Sequence, residues 1–207
     1  MPRGDDTQHS ILIVSASGQF DALVRKSLKN AITIDFRKSV ALARRCLLER
    51  FYDLVIINGP LPDESGEEYA LDVAEKCNAS VLLVMPQEVC GEVLEHVTDH
   101  GILAIPKPFP KGTLDRAIRF LMAEQSRIHR LEGRLAAAQE KLDELRLVSK
   151  AKLLLVEKKH MTEEEAHRFI GKQAMDHGVS RGRIAERLLE GYFSRGEKIG
   201  YGNQGLL

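Results

Sequence analysis

Four short apolar runs constrain this chain more than any other feature: SILIVSA (10–16), YDLVIIN (52–58), SVLLVMP (80–86) and GILAIPK (101–107). Each is continuous rather than alternating and rich in Val, Ile and Leu, which suits parallel strands covered on both faces. ITIDF (32–36) is a weaker fifth run. Between the runs, apolar residues recur at helical spacing: Phe20, Leu23, Val24 and Leu28; Val40, Ala43, Leu47 and Leu48; Ala70, Val73, Ala74 and Cys77. Strand and helix in alternation predict an α/β doubly wound parallel sheet. In such sheets functional residues gather beyond the carboxyl ends of the strands. Those ends are Ser15-Ala16-Ser17, Asn58, Met85 and Lys107.

The pattern changes after residue 113. Leu114, Leu121, Ile128, Leu135 and Leu142 recur every seven residues, and Ala117, Leu131, Ala138 and Leu145 form a second series broken at Glu124. Charged residues flank this seam and no proline interrupts it. The spacing predicts a coiled-coil helix over 114–145, and through it a homodimer. The alternative is one amphipathic helix folded back on its own domain.

The last part of the chain is helical and basic. Thr162 with Glu165 has the spacing of a capping box, Gly178 ends that helix, and Ser180 can cap a last one carrying Ile184, Ala185, Leu188 and Leu189. From Arg146 onward there are 12 Lys+Arg against 8 Asp+Glu, although the whole chain of 207 residues balances 30 against 30. A basic end on a neutral-to-acidic remainder suits a polyanionic partner. The tail 194–207 is glycine-rich and expected to be flexible.

Several classes are not supported. Cys46, Cys77 and Cys90 are odd in number and form no C-x-x-C pair, so they read as buried apolar residues. His160, His167 and His177 lack metal-ligand spacing, so no metal or other cofactor is expected. No acid/base pair, nucleophile arrangement or phosphate loop is visible, so the chain does not read as an enzyme. No secretory h-region or membrane-spanning run occurs, and the chain is expected to be soluble, cytoplasmic and not membrane-bound.

Residues 8–120 resemble the receiver domain of bacterial response regulators. The likeness rests on the strand order, Asn58 in its setting, Leu61-Pro62, Gly66, and PKPF at Pro106–Phe109. In that family a strand-end aspartate accepts a phosphoryl group, an acidic pair holds Mg²⁺, a hydroxyl residue follows the fourth strand and a lysine contacts the phosphoryl group. The matching positions here are Asn58, Ser15 with Ala16, Met85 and Lys107. An amide is a poor nucleophile, and Ser15-Ala16 cannot supply the carboxylate oxygens that Mg²⁺ requires. The resemblance therefore implies a degenerate receiver, kept as a docking surface and open to control by a sensor or other regulatory protein.

Residues 146–193 resemble the ANTAR domain, the RNA-binding module of the AmiR and NasR transcription antitermination regulators. Ala151-Lys152 before an apolar run, the stretch MTEEEAHRFI, Ala174-Met175 and Ile184-Ala185 carry the likeness. Leu153 departs from the glycine common there. The resemblance implies binding of hairpins in nascent messenger leaders, with Lys150, Ala151, Lys152, Lys158, Arg168, Lys172, Arg181, Arg183 and Arg187 as candidate contacts. Phe169, Tyr192 and Phe193 are the module's only aromatics, and Phe169 reads as core. Two other readings stay open: a phosphorylation-dependent regulator with an unusual site, and a protein-interaction adaptor that binds no nucleic acid.

Overall fold

The computed structural model describes residues 9–28 and 33–193. The expected flexible tail at 194–207 lies outside them. The chain divides into two compact units at residues 131 and 132.

In the first unit β1 (Ser10–Val14), α1 (Gly18–Ser27), β2 (Thr33–Arg37), α2 (Val40–Glu49), β3 (Leu54–Asn58), α3 (Glu67–Lys76), β4 (Ser80–Pro86), α4 (Gln87–Thr98) and β5 (Leu103–Lys107) follow one another. The strands form one parallel sheet in the order β2-β1-β3-β4-β5. The apolar runs are continuous because both faces are covered. Leu12, Val14, Val55, Ile57, Val81 and Leu83 pack under α2, α3 and α4, joined by Val40, Ala43, Ala70 and Val73. Their neighbours Ile11, Ile13, Leu54, Ile56, Leu82 and Val84 point the other way, onto Phe20, Val24, Leu114 and Ile118. This is the period-two alternation of a strand, with both sets buried. β2 is at the sheet edge and half-exposed, which accounts for the weakness of its apolar run.

Local signals set the helix starts. Ser17 accepts the backbone N–H of Phe20, and Ser39 accepts that of Leu42. Asp63 adds its carboxylate to the start of α2, accepting the N–H groups of Val40 (3.1 Å) and Ala41 (2.9 Å). Those two bonds hold its pKa below the usual carboxylate range.

α5 runs from Thr113 to Lys159, and the heptad series along it does two different things. Leu114, Ala117 and Leu121 are buried in the core of the first unit. The seam expected from residue 114 therefore begins as the packing face of a sheet-covering helix. Gln125 prolongs this face, fully buried, with Nε2 donating to Asn78 O (2.7 Å) and Oε1 accepting from Ser80 Oγ (3.1 Å). From Ile128 onward, Leu131, Leu135, Leu142 and Leu145 are exposed in the single chain.

In the second unit the end of α5 packs with α6 (Glu163–His177) and α7 (Arg181–Phe193). The capping box at Thr162 and Glu165 forms in both directions, and Gly178 closes α6 with φ of 62°. No helix among the described residues is long and apolar enough to cross a membrane.

Candidate functional site

Two sites come from the residues singled out above, one in each unit. The first lies at the carboxyl edge of the sheet. Asn58, the last residue of β3, is 5% exposed, and Ser15, just past β1, is buried beside it. Asn58 Nδ2 donates to Ser15 Oγ (3.1 Å), which also accepts the backbone N–H of Ser17 (3.1 Å). Lys107 Nζ, at the end of β5, donates to Asn58 Oδ1 (2.9 Å) and to the carbonyl oxygen of Gly59 (2.6 Å). Three of the five expected positions thus join in one hydrogen-bonded chain. Ala16 is exposed and offers only a methyl group. Met85 is buried in the apolar cluster beneath α2, α3 and α4.

This network is neutral apart from one ammonium group. Lys107 meets an amide and a carbonyl, and partial burial lowers its pKa from the ordinary lysine value. The backbone acceptor at Gly59 carries no side-chain signal in the sequence. Ser15, Asn58 and Lys107 satisfy one another, so the pocket is organised around its own hydrogen bonds.

The second site is the surface of the three-helix unit. Its core is built largely from small residues: Ala151, Ala166, Ala174 and Ala185, with Leu155, Ile170 and Ile184. Small side chains let three helices approach closely and leave the long cationic side chains outside. Ala151 is fully buried, which corrects its expected place at a binding surface: its methyl group packs the helices together. Lys150, Lys158, Arg168, Lys172, Arg181, Arg183 and Arg187 are exposed.

Among the described residues, three clefts on this surface bear on its cations. In one, Lys152 and Arg168 lie with Glu163, Glu164 and His167. Lys152 Nζ reaches Glu163 Oε1 at 2.6 Å, and the lysine side chain is only 20% exposed. That hydrogen bond keeps the Glu163 carboxyl below its ordinary pKa. The motif lysine is therefore ion-paired within the chain. A second cleft carries Glu140, Asp143, Glu144 and Glu186 beside Lys141 and Arg183, and Arg183 pairs with Glu186 (2.9 Å). The third is lined by Lys158, Lys159, Arg187 and Tyr192 over Leu154, Leu155 and Leu188. Lys159 escaped the sequence reading because a lysine at a helix end, next to another, carries no motif.

Glu144 was also missed. Its Oε1 accepts the backbone N–H of Gly182 (2.9 Å) in the first turn of α7. A carboxylate there meets unpaired helix N–H groups and the positive end of the helix dipole. A Cβ on Gly182 would stand 2.8 Å from Glu144 Cγ. Gly182→Ala is therefore expected to displace the carboxylate. Losing a hydrogen bond to a charged group costs about 1.5–3 kcal/mol, and alanine recovers at most about 1 kcal/mol of helix propensity. A lower urea midpoint by circular dichroism is the expected result. An unchanged or higher midpoint would show that the contact contributes nothing.

The comparisons with known proteins agree with both halves. Residues 136–189 match the ANTAR domain family. The transcriptional regulatory protein PdtaR of Mycobacterium tuberculosis (strain ATCC 25618 / H37Rv) is 34% identical over 139 residues, 67% of this chain and 67% of that protein. Among solved structures, the signal receiver domain of a putative Luxo repressor protein from Vibrio parahaemolyticus superposes with a TM-score of 0.55 at 17% identity, covering 60% of this chain and 98% of that one. The signal receiver domain of an HD domain-containing protein from Pseudomonas fluorescens Pf-5 gives 0.53 at 19% identity, covering 63% and 97%. At these identities the structural matches speak for the fold of the first unit alone.

Proposed function

This chain belongs to the family of transcriptional regulatory proteins in which an ANTAR domain follows a receiver-like fold, and we propose that it works by binding stem-loops in nascent messenger leaders and preventing transcription termination. The observation that carries this reading is the ANTAR match over residues 136–189, which falls on a small-cored helical unit bearing exposed cations. A-form RNA closes its major groove to side chains, so such a module would meet phosphates and unpaired loops. Acting on nascent transcripts puts the protein in the cytoplasm.

The first unit serves as a switch without phosphoryl chemistry. Its pocket offers an amide at Asn58, a hydroxyl at Ser15 and a methyl at Ala16, which supports control by a protein partner or by assembly state. A partner that prefers one arrangement shifts the population by its difference in affinity. The exposed stripe of α5 from Ile128 to Leu145 supports a homodimer, which would present two RNA modules.

Binding of the full-length protein to a synthetic RNA with two stem-loops, measured at several salt concentrations, tests the reading. Affinity is expected to fall steeply with salt as phosphate contacts release counterions. Lys152→Ala is expected to weaken binding a few-fold and to change the slope of log affinity against log salt by less than one unit. The reason is the ion pair: Lys152 must leave Glu163 to reach a phosphate, and its removal unmasks that carboxylate. Absence of salt-dependent binding by the intact protein would favour the protein-interaction adaptor instead.

A further inference from the structure

The cleft that holds the motif lysine is built of unlike charges. It is lined by Lys152 of α5 and by Glu163, Glu164, His167 and Arg168 of α6, around about 440 Å³ of space. A site for phosphate alone would leave carboxylates out, because they repel the backbone that the cations attract. Here the carboxylate is the more open member of the ion pair: the Glu163 side chain is 77% exposed and that of Lys152 only 20%. An ionised carboxylate has about four lone-pair sites, and the 2.6 Å bond from Lys152 takes one of them. The cleft therefore presents an acceptor with capacity to spare, held beside a donor.

That pair is the complement of a base edge. Phosphate contacts position a nucleic acid, whereas contacts to base edges specify it. Unpaired loop bases are read by hydrogen bonds on their Watson–Crick edges. Guanine carries there an acceptor, O6, followed by two adjacent donors, N1–H and the N2 amino group. Two donors side by side match the two oxygens of one carboxylate, and O6 then falls toward an ammonium bonded to the same carboxylate. Adenine and cytosine place one amino group beside a ring acceptor, and uracil places one imino donor between two carbonyls. None of these three offers two adjacent donors. In a stem the guanine edge is taken by pairing, so only a loop guanine can present it.

We infer that this cleft reads an unpaired guanine, with Glu163 accepting from N1–H and the N2 amino group, Lys152 donating to O6 and the exposed Arg168 meeting a flanking phosphate. The inference rests on the RNA-binding reading and adds to it the base that is selected and the residue that selects it. Glu163 serves specificity, although by charge alone it would only hinder binding.

The test uses the full-length protein and a pool of synthetic RNAs, each with two stem-loops of fixed stem and randomised loop sequence. Sequencing of the bound fraction is expected to show guanine enriched at one loop position. Inosine at that position lacks the N2 amino group and is expected to bind roughly tenfold more weakly. Glu163→Gln replaces an acceptor oxygen by a donor; it is expected to lose the enrichment and to bind the guanine and inosine loops alike. Lys152→Ala is expected to bind the guanine loop more weakly and to keep the inosine penalty, since Glu163 still reads the amino group. Circular dichroism checks that both variants keep their helices. If guanine is not enriched, or inosine binds as well as guanine, the RNA reading stands and the cleft assignment falls. The assignment also falls if Glu163→Gln binds every loop more tightly with the enrichment unchanged, the result expected of a carboxylate that merely masks Lys152. GMP titrated alone carries the same edge without a loop. Binding of GMP that is lost in Glu163→Gln, with no guanine enrichment in the loops, would assign the cleft to a free nucleotide and overturn the inference. If the unsubstituted protein shows no salt-dependent binding to the pool, the RNA reading and the inference fall together.

Discussion

Aspartate at both Leu135 and Leu142 is expected to leave the protein monomeric at micromolar concentrations, where the unsubstituted chain is expected to be a dimer. In the single chain Leu135 is 71% exposed and Leu142 50% exposed, and Ile128, Leu131 and Leu145 continue the stripe. Five large apolar side chains at this spacing along one helix match a coiled-coil seam, and each leucine buried there contributes about 1.5–3 kcal/mol. A carboxylate in a desolvated seam loses that contribution and adds a burial penalty of several kcal/mol, so two of them exceed what the seam can supply. The loss should carry into RNA binding. Two modules joined in a dimer engage two stem-loops with an avidity that can exceed single-site affinity by roughly 10²–10⁴. The double variant is therefore expected to lose at least about 100-fold on a two-stem-loop RNA and little on a single stem-loop. Sedimentation velocity and light scattering read the first effect, and titration of the two RNAs reads the second. A monomeric unsubstituted protein, free and with RNA, would remove the seam from the mechanism, as would a variant that stays dimeric.

Incubation with acetyl phosphate and Mg²⁺ is expected to leave the mass unchanged, and Asn58→Asp alone is expected not to restore phosphorylation. The substitution supplies an acceptor oxygen but no second carboxylate for the metal. Ser15 Oγ already accepts the N–H of Ser17, and Ala16 offers a methyl group. The introduced carboxylate would instead meet the ammonium of Lys107, which now stands 2.9 Å from Asn58 Oδ1. An opposite charge at that distance lowers a carboxyl pKa in the folded state. A carboxyl whose folded pKa is depressed contributes stability above its unfolded value, about 3.9, and loses it as pH falls through the lower folded value. The stability of Asn58→Asp relative to the unsubstituted chain should therefore be greatest near neutrality and decline below about pH 4. Urea denaturation at both pH values reads this. Addition of one phosphoryl group to either protein, seen by intact mass, would show that the pocket still does receiver chemistry.

The amino-acid sequence by itself determined the elements and their class. Parallel strands buried on both faces leave unbroken runs such as Leu54–Ile57, and a capping box is two residues three apart, as Thr162 and Glu165 show. These signals lie within a few residues of one another, where period and backbone geometry act directly. The residues of the pocket at the sheet's carboxyl edge were legible for the same reason: each stands at a strand end, and strand ends converge in a doubly wound sheet. Tertiary structure decided which groups neutralise which. Lys152 meets Glu163 eleven positions away, Glu144 meets Gly182 thirty-eight away, and Lys107 meets Asn58 forty-nine away. Only the tertiary structure divided the heptad series of α5, because Leu114 and Leu121 fit a seam as well as they fit the sheet they cover. It also drew Lys159 and Tyr192 into one cleft from the ends of two helices. A cation at a helix end is the same residue in any sequence; whether a carboxylate lies beside it depends on how the helices pack, and that decides where the field is strong.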